Sequence, residues 1–299
     1  MKDFVIVTDT GCDLGADLRK EWNIEHIPMS VSKNGEDIVI DLDWKPFSPK
    51  EFYNMMRKGQ SFKTAAVNTE AYIKAFEPFL EKNIGILYLA TSSGLSGSYN
   101  SCKIAEKELI KKYPKALIVS VDTLRSCLGQ GLICVEAAKM KREGKSIREI
   151  AVFVENNKLN VHQAGTVEDL TYLKRAGRVT GMAALMGGLL KVKPLIISDA
   201  KGRNVSVSKV RGRKASLREC IRYMQENIIS PESQTIYIAH ADCPETELEE
   251  LKQEIKEAVR CKDFYVNYTG PIVGSSVGPG MYGLYFMGKK VEYDAEDLK

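Results

Sequence analysis

Three short apolar runs, FVIVTD (4–9), IGILYLA (84–90) and ALIVSVD (116–122), each give way to a turn-rich stretch or a segment of helical period. Runs of that length suit strands. A strand followed by a helix rejoins the same sheet most readily through a parallel crossover. The first half is therefore predicted to be α/β, with a parallel sheet. Between the runs, FSPKEFYNMMRKG (47–59) reads as a helix with Ser48 as N-cap, Pro49 at its first position and Glu51 closing a capping box. Asn68 is placed to cap another helix, through about Lys82, and further helices are predicted over 97–113, 126–142 and 147–156. The segment 24–40 reads as one hairpin turning at Asn34-Gly35.

The second half has a different rhythm. PLIISDAKGRNVSVSKV (194–210) reads as an antiparallel hairpin turning at Ala200-Lys201-Gly202. Helices are predicted near 213–228 and 244–260, strands at 235–242, 264–268 and 283–288, and two helical stretches flanking AGRVTG (176–181). Antiparallel strands with interposed helices imply an α+β domain. We divide the chain into an N-terminal α/β domain, 1–158, and a C-terminal α+β domain, 159–299.

Charged residues form 27% of the chain and apolar ones 44%, the balance of a soluble protein, and a net charge of +4 gives no argument for nucleic acid. Seven cysteines without a C-x-x-C pair, and no leader pattern, imply reduced thiols in a cytoplasm. The apolar runs fall short of the roughly 18–20 residues a membrane span needs. No integral membrane segment, metal site or cofactor is expected.

TSSGLSGSYNSC (91–102) joins a predicted strand to a predicted helix, and its first ten residues hold five serine or threonine hydroxyls and two glycines. Open α/β sheets bind ligands at that position, and a helix N-terminus there favours an anionic group. Ser98 stands where a nucleophile elbow needs glycine, so hydroxyls and backbone donors point to holding a carboxylate rather than attacking an ester. A serine hydrolase or thioesterase using Ser93 or Ser96 with His240, backed by Asp242, is the alternative. His26 and His162 read as structural. GPGMYG (278–283) spells G-x-G-x-x-G, but a strand pattern follows it where a dinucleotide site needs a helix. GPIVGSSVGPG (270–280) reads as a glycine-rich loop that lets backbone approach a ligand. KVRGRK (209–214) carries four positive charges in six residues: a solvated face first, a docking patch second and a nucleic-acid contact third.

Together FVIVTDTGCDL, KTAAVNTEAY (63–72), TSSGLSGSY, VDT (121–123), LTYLKRAGRVTG (170–181), LLKVKPLI (189–196), KVRGRKA (209–215) and GPIVGSSVGPG resemble the DegV family of bacterial fatty-acid-binding proteins, over essentially the whole chain. The resemblance implies two domains with a long-chain fatty acid in a tunnel between them. Its carboxylate would be held by Thr64 and Ser93, with Ser92 adjacent, and Gly274, Ser276 and Arg211 are expected to line the ligand. The family is similar to a non-catalytic lipid-presenting subunit, which offers the acid to a separate ATP-dependent fatty acid kinase subunit in phospholipid metabolism. A basic face including Arg175 and Arg178 would dock that partner. Two departures stand out. Ala65-Ala66-Val67 follows Thr64 where the family commonly has T-S-x-P, and Ser276 stands where a histidine is common. An acyl tail of about 14 methylenes, at roughly 0.8 kcal/mol each, supplies about 11 kcal/mol gross. A neutral hydroxyl bond adds only about 0.5–1.5 kcal/mol. The tail would supply affinity and the hydroxyls orientation.

Overall fold

The computed structural model describes residues 3–181 and 192–298. The second helical stretch expected after AGRVTG, together with the LLK of LLKVKPLI, lies outside the described residues. In the first half, β1 (Phe4–Asp9) is followed by α1 (Ala16–Trp22), β2 (Ile24–Ile27), β3 (Met29–Lys33), β4 (Glu36–Ile40), α2 (Pro49–Arg57), β5 (Lys63–Ala65) and α3 (Thr69–Glu81). Then come β6 (Gly85–Ala90), α4 (Ser98–Lys112), β7 (Ile118–Asp122), α5 (Cys127–Arg142) and α6 (Ile147–Asn157). Four strands form a wholly parallel sheet in the order β2-β1-β6-β7. Every residue of β1 and β6 is buried, as expected of strands covered on both faces. The helix starts follow the sequence signals. Ser48 and Glu51 make the reciprocal bonds of a capping box with Pro49 inside, and Asn68 accepts the Ala71 N–H at 2.8 Å.

The predicted hairpin over 24–40 is corrected. Only β3 and β4 form it, around Asn34 and Gly35, both at positive φ. Pro28 lacks a backbone donor and separates β2, whose buried Ile24 and Ile27 join the edge of the parallel sheet instead. β3 also pairs with β5, giving a small antiparallel sheet in the order β4-β3-β5.

The second half contains β8 (Val161–Thr166), α7 (Leu170–Ala176), β9 (Val179–Thr180), β10 (Val192–Ser198), β11 (Asn204–Arg211) and α8 (Arg213–Asn227). It continues with β12 (Thr235–His240), α9 (Glu245–Val259), β13 (Asp263–Tyr268), α10 (Pro271–Val277) and β14 (Tyr282–Met287). Its strands form one sheet in the order β13-β12-β14-β8-β10-β11-β9. The sheet is mixed. β12 and β13 run parallel because α9 returns the chain between them, and β9 runs parallel to β11. GPIVGSSVGPG is not a loop throughout. Pro271 starts α10 and Gly278, at φ +75°, ends it, so the small residues mark a helix and its boundaries.

α5 is buried over most of its length and is the spine between the sheets. In one core it packs with Leu87 and Leu89 of the parallel sheet and with Tyr237, Ala239 and Tyr285 of the mixed sheet. A Cβ on its Gly131 would stand 2.8 Å from the Leu14 side chain, so only glycine allows so close an approach. A second core joins β3 and α2 to Leu173 and Ile272 of the other half. The two halves thus share two hydrophobic cores.

Candidate functional site

The site grows from Asp9, wholly buried at the carboxyl end of β1. Its carboxylate accepts the N–H groups of Gly11 (3.0 Å) and Thr91 (2.9 Å), the Thr91 hydroxyl (2.5 Å) and the Tyr88 hydroxyl (2.7 Å). So many donors offset the cost of burying the group and pin the start of the serine loop to the end of β1. The rest of the loop is fixed residue by residue. Ser92 donates its N–H to Arg125 O (2.9 Å) and its hydroxyl to Gly202 O (2.7 Å). Ser93 is exposed, and its N–H donates to the Asp122 carboxylate at 3.1 Å. The Ser96 hydroxyl accepts the Ser98 N–H (3.2 Å) and lies 2.9 Å from the Ser98 hydroxyl, which accepts the Val67 N–H (3.1 Å). α4 then starts at Ser98; its N-cap Gly97 has no side chain to cover the partial positive end, and the Ser96 hydroxyl takes only the first N–H.

That end opens onto a cavity of about 130 Å³ between the halves. The first half contributes Met29, Ala65, Ala66 and Leu95, and the second Leu173, Ala176, Val179, Ile272, Val273 and Val277. Five hydroxyls interrupt this apolar wall: Thr64, Thr91, Ser96, Ser126 and Ser276. Asn204 also lines it, and Arg178 is the one charged residue of the lining among the described residues. Arg178 donates from Nε to Leu95 O (3.2 Å) and from Nη1 to Ala176 O (3.3 Å), tying the second half to the serine loop.

The residues singled out from sequence therefore separate. Thr64, Ser96, Ser276 and Arg178 come together around the cavity. Ser92 and Ser93 do not line it. Gly274 lies buried in α10, where a Cβ would stand 2.5 Å from the Tyr53 hydroxyl, so its openness serves a tyrosine. Arg175 is exposed, its guanidinium 5.9 Å from the Tyr172 ring, and Arg211 is exposed at the end of β11. Arg213 and Lys214 of that basic run are matched by acidic α9. Arg213 bonds Glu247 at 3.0 and 2.8 Å, and Lys214 faces Glu250 at 3.9 Å.

His240 is absent from the lining. Its ring lies 4.3 Å from that of Tyr268, its Nδ1 accepts the Cys243 N–H at 3.4 Å, and burial pushes its pKa down. His162, stacked on Phe286 and bonded to the Tyr223 hydroxyl, is pushed down to about 4, chiefly by burial. All seven cysteines are free thiols. Among the described residues no group of His, Cys, Asp or Glu side chains could hold a metal ion, and no helix is long and apolar enough to cross a membrane. Ser126 and Asn204 line the cavity with no motif in the sequence to mark them, and Ser96, which the sequence offers as an alternative nucleophile, joins them there. For Ser96 a signal was present: it is the last hydroxyl before the first residue of α4, beside the helix end that favours an anion.

A family model described as an uncharacterised protein of the DegV family matches residues 3–289. A DegV domain-containing protein of Clostridium perfringens is 41% identical over 292 residues, covering 98% of this chain and all of its own. A solved structure reporting fatty acid binding of a DegV family protein from Thermus thermophilus superposes with a TM-score of 0.84 at 27% identity, covering 96% of this chain and all of that one. The structure of DegV from Bacillus subtilis, described as a fatty acid binding protein, gives a TM-score of 0.82 at 25% identity over 97% of this chain and all of that one.

Proposed function

This chain belongs to the DegV family, and from that premise we propose that it binds a long-chain fatty acid in the cavity between its two domains, 1–158 and 159–299. The observation that carries the reading is the cavity itself: apolar side chains from both halves, hydroxyls from β5, the serine loop, the start of α5 and α10, and one cation among the described residues. We assign the carboxylate to the hydroxyls of Thr64 and Ser96 at the open end of α4, with Ser276 and Arg178 beside them. The tail runs among Leu173, Ile272, Val273 and Val277. Tail burial supplies the affinity, and the polar end fixes which group faces outward.

The protein then serves as a presenting subunit. A separate ATP-dependent fatty acid kinase subunit transfers the γ-phosphoryl group of ATP to a carboxylate oxygen, forming an acyl phosphate and releasing ADP. Arg175, exposed in the last turn of α7 and three residues before Arg178, extends the basic edge toward that partner and would make docking salt-sensitive. The test is denaturing extraction of the purified protein with mass spectrometry, followed by phosphorylation of the bound acid by a fatty acid kinase subunit. About one acyl chain per protein is expected. No chain as purified, and no fatty-acid binding after delipidation, would end the carrier reading. An acid that is bound but never phosphorylated would end the presentation step alone.

A further inference from the structure

The loop that carries Ser96 is held from outside the cavity by the turn between β10 and β11. The Ser92 hydroxyl donates to Gly202 O at 2.7 Å across the two halves. Contact here is tight on both sides. A Cβ on Gly94 would stand 2.8 Å from Lys201 O, and one on Gly202 would stand 2.2 Å from the Ser92 hydroxyl oxygen. The turn is organised by Asp199, wholly buried, whose carboxylate accepts the N–H groups of Lys201 (2.9 Å) and Arg203 (2.8 Å) and the Arg203 Nε (2.8 Å).

The outer side of the same turn is gripped by residues 293–296. Ala200 N–H donates to Tyr293 O at 2.8 Å. The Arg203 guanidinium reaches Asp294 and, at 2.7 Å, Glu296, while Lys201 reaches Asp294 at 3.0 Å and also Glu296. Two cations and three carboxylates thus form one network rather than isolated pairs, the case in which surface ion pairs contribute measurably. Lys201 and Glu296 are about half exposed, at 51% and 52%, so dissolved salt reaches and screens them.

We infer that residues 293–296 are an electrostatic strap whose grip on Lys201 and Arg203 sets, through the Ser92–Gly202 bond, the position of the loop that presents Ser96. The inference rests on the acyl-binding reading for its consequence: Arg203 and Ser92 are positioning residues, and loosening the strap speeds ligand exchange without removing any group from the cavity.

The experiment measures the release rate of a fluorescent fatty acid between about 0.05 and 0.5 M salt, a range that shortens screening from over 10 Å to a few. Release from the parent protein is expected to accelerate about three- to tenfold over that range. Asp294→Asn combined with Glu296→Gln should release fast at low salt and respond little to salt. Adding Ser92→Ala to that variant should change release less than Ser92→Ala does in the parent, because both act on one path. Hydrogen exchange of the ligand-free protein gives a second readout: faster exchange at residues 92–97 in the strap variant supports the inference even if no fatty acid binds, a result that would sink the functional reading alone. A strap variant with parental salt response and parental exchange at 92–97 overturns it. So does one whose melting temperature falls while both stay parental.

Discussion

Two segments rich in glycine and serine meet at the cavity from opposite halves, and they use their small residues differently. In TSSGLSG the hydroxyls go mostly into fixing the chain: Thr91 to Asp9, Ser92 to Gly202, with Ser96 left at the cavity. In GPIVGSSVGPG two glycines admit aromatic rings, Tyr53 against Gly274 and Tyr172 against Gly278, while Ile272, Val273 and Val277 line the cavity. One segment is a polar cradle and the other an apolar wall. Small residues signal close approach in both, but composition alone does not say what approaches.

The sharpest way to break this comparison is to add one methyl group to each segment. Gly278 has φ +75° and ψ 171°, a region essentially closed to other residues, and a Cβ there would stand 2.2 Å from the Tyr172 ring. Gly278→Ala should cost about 3–5 kcal/mol from strain and overpacking together. Gly97, at φ −73°, has no atom within 4 Å of an added Cβ. Gly97→Ala should stay within about 0.5 kcal/mol of the parent. Thermal melts decide, and similar losses in both would refute the division of roles.

A smaller effect separates the two carboxylates behind the segments. Asp9 meets a full set of donors. Asp13, behind the second segment, accepts the Gly270 N–H at 2.9 Å with Oδ1, while its buried Oδ2 has no partner. Burial pushes its pKa up to about 7, against the lowering effects of Cys127 and Gly270. The folded protein therefore holds this proton up to about pH 7, whereas the unfolded chain releases it near 3.8. The stability this proton confers is fully present below pH 4 and is lost as pH rises through 7. The loss is on the order of 4 kcal/mol at most. Asp13→Asn should flatten this fall in denaturant titrations between pH 5 and 8. An unchanged pH slope would show that Asp13 is ionised in the folded protein.

How much of this was legible follows the range of the forces involved. Local signals read correctly: the capping box at Ser48 and Glu51, the Asn68 cap, the Asn34-Gly35 turn and the buried runs of β1 and β6. The assignment of β2 failed because strand partners are non-local, and nothing inside IEHI states that β1 will be its neighbour. α10 was missed because glycine and serine have weak helix propensity, and packing on Tyr53 and the Leu173 region overrides it. Within the serine loop the motif marks the place, but which hydroxyl turns inward depends on bonds to residues 67, 125 and 202, far away in sequence.

That last point gives the finest test. Ser93 and Ser96 lie three residues apart in one loop, one exposed and one lining the cavity. Removing a neutral hydrogen bond to a ligand costs about 0.5–1.5 kcal/mol, so Ser96→Ala should weaken fatty-acid binding about two- to twelvefold. Thr64→Val, on the facing strand, should do the same. Ser93→Ala should change affinity by less than about twofold, because its side chain faces solvent. Phosphorylation of the bound acid should fall further than affinity in the Ser96 and Thr64 variants. A carboxylate that has lost one of two fixing bonds still carries its tail's binding energy but spends less time in the reactive orientation. Equal losses for Ser93→Ala and Ser96→Ala would put the carboxylate on the solvent side of the loop. The polar cradle would then lie at the rim, and the apolar segment alone would define the ligand space.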